Sequence, residues 1–160
     1  MVLSRTMKII SSQDFNGSLP PNAKLLGLDV GTKTIGLAFG DVATRICTPL
    51  KVITRGKLKA DAAELLKQIN EYRVSGLVVG WPLNVDGTEG RRCQGVKDVI
   101  LAMQDYLPLD LPVTFWDERF STADAQSFLI TEIDMSRKRR GQVIDKMAAL
   151  EILTSYLDYS

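Results

Sequence analysis

The chain has 160 residues, 45% hydrophobic and 24% charged, with twenty Lys and Arg against nineteen Asp and Glu for a formal charge of +1. That length suits one domain with a real core, the composition excludes disorder as the default state, and the charge balance leaves any polyanion-binding surface to local clustering. Histidine is absent, which removes Ser-His-Asp catalysis, Cys-His catalysis and histidine metal ligation together.

Residues 1–23 read as a flexible tail, and residues 24–160 as a single domain. The tail lacks the apolar centre of a secretory signal, and no apolar stretch approaches the roughly 20 residues of a membrane helix. Cys47 and Cys93 are far apart and form no metal-ligand spacing, so both read as free thiols in a reducing compartment.

The run 25–40 predicts two strands joined by a tight turn, with glycines at 31, 36 and 40. Asp29 falls at the carboxyl end of the first, inside an otherwise apolar run. An unpaired carboxylate is costly there unless it shifts its pKa, finds a partner or binds a metal. Residues 46–53 predict a third strand, at an edge because Pro49 cannot donate to the ladder. Short connections make these three an antiparallel meander.

Residues 61–72 carry Ala62, Leu65, Leu66 and Ile69 at helical spacing. The apolar run 76–80 predicts a central strand covered on both faces. A loop from Trp81 to Thr88 leads into a helix reaching about residue 106, and 111–116 predicts a further strand ending in Asp117, Glu118 and Arg119. Ser121 or Thr122 then caps a helix with Ala125, Phe128 and Leu129 on one face. The basic run Arg137, Lys138, Arg139 and Arg140 precedes a last helix over 142–157, whose Asp145, Ala148, Ala149, Ile152 and Tyr156 share one face. Three hairpin-like strands followed by alternating helices and strands predict an α/β fold: a mixed sheet flanked by helices.

Three acids stand out in combination: Asp29 ends the first strand, Glu118 follows a later parallel strand, and Asp145 faces the sheet from the last helix. Each alone has a bland reading, Asp145 as a first-turn charge–dipole contact and Glu118 as part of a surface ion-pair cluster. Together they are the oxygen ligands that suit Mg2+ or Mn2+, and two such ions can activate water and stabilise a leaving oxygen in phosphodiester cleavage.

Four blocks carry a resemblance: residues 28–36 (LDVGTKTIG), 79–88 (VGWPLNVDGT), 117–122 (DERFST) and 143–149 (VIDKMAA). In this order they resemble the signature blocks of the YqgF/RuvX family over about residues 25–157. The resemblance implies an RNase H-like fold with a five-stranded sheet of order 3-2-1-4-5, a bacterial cytoplasmic protein, and either Holliday-junction resolution or maturation of the 5′ end of pre-16S rRNA. It places the acidic set on Asp29, Glu118 and Asp145. Trp81 stands where an aliphatic residue is usual and Phe120 where leucine is usual. If Glu118 follows a strand two places from that of Asp29, their backbones are about 10 Å apart at roughly 4.8 Å per strand, which keeps Asp86 and Asp117 as reserve acids.

Nucleic acid, as pre-rRNA or branched DNA, is the expected partner of a monomer or homodimer. Arg137, Lys138, Arg139 and Arg140 are expected to contact phosphates beside the acids, with Lys33, Arg91, Arg92 and Arg119 widening the patch and Lys97 and Lys146 as further candidates. Trp81 and Asn84 are placed to meet an unpaired base, although Trp81 also reads as partly buried core. Two other classes stay open. One is an actin-like or sugar-kinase-like phosphotransferase, which the phosphate-turn pattern at Asp29 favours and the single-lobe length opposes. The other is a non-catalytic nucleic-acid-binding module.

Overall fold

The computed structural model describes residues 8–107, 110–120 and 137–160. Strands β2 (Lys24–Val30), β3 (Thr34–Asp41) and β4 (Cys47–Thr54) form the antiparallel meander. The Gly31 amide donates to the Thr34 carbonyl at 2.8 Å to close the turn between β2 and β3. β4 carries Pro49 at the sheet edge, where its missing N–H costs the ladder nothing.

Helix α2 (Leu58–Glu71) returns the chain to β5 (Gly76–Trp81), which pairs in parallel with β2. Asp61, in the first turn of α2, accepts the Gly56 amide with both carboxylate oxygens at 3.1 Å and so secures the helix entry. After α3 (Arg91–Met103), β6 (Pro112–Asp117) pairs in parallel with β5, and a short 3-10 turn (Glu118–Phe120) follows it. These five strands take the expected RNase H-like order 3-2-1-4-5.

Residues 8–23 differ from the expected tail. Strand β1 (Lys8–Ile9) adds a sixth strand beside β6, and helix α1 (Ser12–Ser18) packs against the sheet. The Ser11 hydroxyl caps α1 by accepting the Asp14 amide at 3.2 Å, and Phe15 is fully buried. That single aromatic supplies apolar burial sufficient to tie down a short segment.

The last helix, α4 (Arg137–Tyr159), begins five residues before the expected 142 because the basic run Arg137 to Arg140 is its first turn. Arginine and lysine are good helix formers, so a basic run need not stand outside the helix it precedes. Asp145 therefore sits eight residues beyond the start of α4, too far in for a contact with the helix amino end. The helix expected at Ala125, Phe128 and Leu129, with its cap at Ser121 or Thr122, lies outside the described residues.

Period-two alternation splits the strands between two cores. Leu26, Leu28, Val30, Ile35, Leu37, Leu77 and Val79 face α2 and α3, where Leu65, Ile69, Val96 and Ile100 cover them. Leu25, Ala38 and Val78 face α1 and α4, against Phe15, Ala149, Ile152, Leu153 and Tyr156. Among the described residues no helix is long and apolar enough to cross a membrane.

Candidate active site

Asp29 occupies the α4-facing phase of β2, after Leu25 and Gly27, and its register partner on β3 is Gly36. A Cβ at Gly36 would run into the backbone carbonyl of Asp145 and lie 2.8 Å from its carbonyl carbon. The missing side chain opposite Asp29 is thus what lets α4 lie directly on the sheet at Asp145. Gly27 makes the same allowance one turn on, where a Cβ would lie 2.9 Å from the Ala149 oxygen and from Leu153 Cβ. Thr34 Oγ1 donates to Asp145 Oδ2 at 2.9 Å and holds that carboxylate at the end of the meander.

Glu118 reaches the same place from two strands away. β5 lies between β2 and β6, and its Gly80 is in register with Trp116. A Cβ at Gly80 would collide with Glu118 Oε1, lie 3.1 Å from Glu118 Cδ and lie 2.6 Å from Ile152 Cδ1. The Glu118 side chain therefore crosses the intervening strand over a glycine and hydrogen-bonds the Asp29 carboxyl. This closes the span of about 10 Å between the two backbones.

Crowding shows in the proton affinities. Burial, then the charge of Asp145, hold the Asp29 pKa above its ordinary value, with Arg92 opposing the rise. Glu118 is pushed up to about 7 by burial and then by the charge of Asp29, again against Arg92. Two carboxyls that share a hydrogen bond cannot both ionise cheaply, so near neutral pH the pair retains a proton. Such a pair of hard oxygen donors fits a divalent cation, whose charge would replace that proton. Among the described residues, however, no three acidic or thiol side chains converge tightly enough to chelate an ion as they stand.

The reserve acids serve other contacts. Asp117 makes a fork-like ion pair with Arg119, Nη2 to Oδ2 at 2.8 Å and Nε to Oδ1 at 3.1 Å, which holds its pKa below the usual carboxylate range. Asp86 accepts the Thr88 hydroxyl and amide within the loop after β5, and its pKa is also lowered. Arg119 is committed to Asp117 and to this loop, with Nη1 at 3.5 Å from the Val85 carbonyl. Trp81 is half-buried against Phe115, with ring centroids 4.4 Å apart, and Asn84 Nδ2 donates to Thr88 Oγ1.

A cleft of about 650 Å³ opens beside Asp29 and Asp145, and Arg91 and Arg92 line it from the first turn of α3. Cations at a helix amino end oppose the macrodipole, and here Arg92 is offset by the charges of Asp29 and Glu118. Lys33 is exposed in the turn after β2. The side chains of Arg137, Lys138, Arg139 and Arg140 lie outside the described residues. Two charged lining residues escaped the sequence reading: Asp98, which accepts from the Gln94 side-chain amide at 2.7 Å, and Arg55, just after β4. Asp98 lies seven residues beyond Arg91, two turns along the same helix, and that spacing was a usable signal.

A family model described as RuvX, Holliday junction resolvase, matches residues 23–159. Proteins of Caulobacter vibrioides and Roseobacter denitrificans, both named "Putative pre-16S rRNA nuclease", are 45% identical over 152 residues. These matches span 95% of this chain and 97% and 93% of theirs respectively. Thermus thermophilus RuvC shares the fold, with a TM-score of 0.50 over 85% of this chain and 95% of that one at 12% identity.

Proposed function

Because this chain belongs to the RuvX family, we propose that it is a metal-dependent nuclease that cleaves phosphodiester bonds in structured nucleic acid, with the 5′ end of pre-16S rRNA as its substrate. The observation that carries the reading is the hydrogen-bonded Asp29 and Glu118 pair, assembled across Gly80 with Asp145 alongside. A fold needs no buried carboxyl pair with a raised proton affinity, and such pairs concentrate where chemistry is done.

Asp29, Glu118 and Asp145 would hold Mg2+ or Mn2+. When bound, two such ions supply an activated water and neutralise the leaving oxygen. The chain's own residues have separable tasks. Thr34 fixes the Asp145 carboxylate. Burial and the charge of Asp29 push the Glu118 pKa up to about 7, so a cation held there would displace a proton near neutral pH. Arg92 offsets negative charge beside both strand-end acids.

Purified wild type and Asp29→Asn should be compared on a precursor 16S rRNA leader and on a synthetic four-way junction, with magnesium and with manganese. Wild type is expected to cut the leader, and the variant to lose at least about a hundredfold in rate, the usual scale for removing a group that acts in the transition state, while circular dichroism shows an intact fold. Preferential cutting of the junction would transfer the reading to a resolvase. Full activity in Asp29→Asn would remove the acid set from the chemistry.

A further inference from the structure

Arg55 stands outside the four blocks and outside every role assigned above. Its Nη1 donates to the Gly31 carbonyl at 2.6 Å and approaches the Thr32 carbonyl at 3.4 Å, so one corner of the guanidinium clamps the turn that follows Asp29. Its backbone amide also donates to the Lys33 carbonyl, at 2.8 Å. A guanidinium carries five N–H donors in a planar fork. Among the described residues, Nε and Nη2 have no protein partner, and Arg55 is in none of the ion pairs, which join Lys24 to Asp41, Lys51 to Glu64 and Arg119 to Asp117. The residue nevertheless lines the cleft that contains Asp29 and Asp145, together with Arg91 and Arg92.

We propose that Arg55, with Arg91 and Arg92, binds a backbone phosphate of one nucleic-acid strand in the cleft, beside Asp29. Three arginines from two separate elements, β4's end and α3, line one cleft together with the acids Asp29, Asp98 and Asp145. A fixed fork anchored by one nitrogen presents its remaining donors without further ordering cost, which is the arrangement that favours arginine at phosphate sites. Acids beside the arginines set the position by repelling the phosphate unless cations intervene. The ligand is therefore the sugar–phosphate backbone and not a base, and the site deepens the nuclease reading on which it rests by giving the bound strand a register relative to the acids.

The test separates this inference from that reading by measuring binding in protein that cannot cut. Asp29→Asn and Asp29→Asn/Arg55→Gln are titrated with a fluorescein-labelled RNA hairpin carrying a single-stranded 5′ leader, over a series of salt concentrations. Loss of one phosphate contact should weaken binding about tenfold near physiological salt and reduce the slope of log K against log[salt] by about 0.7 to 0.9. Arg55→Lys in the same background should recover the slope and part of the affinity, because the charge remains while the fork is lost. Equal affinity and slope in the Arg55→Gln protein would overturn the inference. So would weaker binding with an unchanged slope, or a lysine variant no better than glutamine, because either marks Arg55 as a brace of the turn alone. Inactive wild type in the cleavage assay would instead strike at the nuclease reading, and it leaves this binding measurement intact.

Discussion

The two faces of the sheet are built from opposite materials. On the face toward α2 and α3, strands present Leu26, Leu28, Val30, Ile35, Leu37, Leu77 and Val79, and the layer is a conventional apolar core. On the face toward α1 and α4, the alternate positions are Leu25, Gly27 and Asp29 on β2, Gly36, Ala38 and Gly40 on β3, and Gly76, Val78 and Gly80 on β5, so glycines surround Asp29 while Leu25 and Val78 join a second, smaller apolar cluster. Large side chains stabilise the first face. On the second, the glycines at 36 and 80 leave room beside Asp29, and a helix backbone and a distant glutamate come within reach of that one aspartate. The same strands thus serve stability in one phase and chemistry in the other.

Exchanging the materials should break each face differently. Leu28→Ala removes a fully buried side chain from the apolar face and should cost about 2 to 5 kcal/mol by chemical denaturation, without altering the acid pair. Gly36→Ala puts a methyl group against the α4 backbone at Asp145, which cannot yield as a side chain can. It should cost about 1 to 3 kcal/mol and should also abolish cleavage. The atoms nearest a methyl at Gly80 are the side-chain ends of Glu118 and Ile152, so the stability loss of Gly80→Ala should be the smallest, about 1 kcal/mol, while cleavage falls sharply because Glu118 is displaced. Equal activity loss in Leu28→Ala and Gly80→Ala, measured with both proteins folded, would erase the distinction between the faces.

Much of this was legible beforehand. Asp29 in an apolar run announced that it needed a partner, and the spacing of Ala149, Ile152 and Tyr156 correctly put α4 on the sheet. The role of Gly80 was not legible, because what matters is a side chain from another strand passing over it, and no local periodicity encodes that. Arg55 was hidden for the same reason: the end of β4 meets the turn after β2 only in three dimensions. Reading residues 1–23 as a tail missed the one buried aromatic at 8–23, Phe15, and the Ser11 cap, because a single apolar contact leaves no periodic pattern.

The central claim is that Glu118 and Asp29 share one site across Gly80, and an NMR titration of the glutamate side-chain carboxyl carbons reads it directly. In metal-free wild type, Glu118 should titrate near 7, and in Asp29→Asn its midpoint should fall as the neighbouring charge is removed. The linkage has a definite sign: an acid whose folded pKa is raised contributes stability that is present below the ordinary value of 4.5 and is lost as pH rises toward about 7. A Glu118 midpoint near 4.5 in wild type, unmoved by Asp29→Asn, would contradict the account.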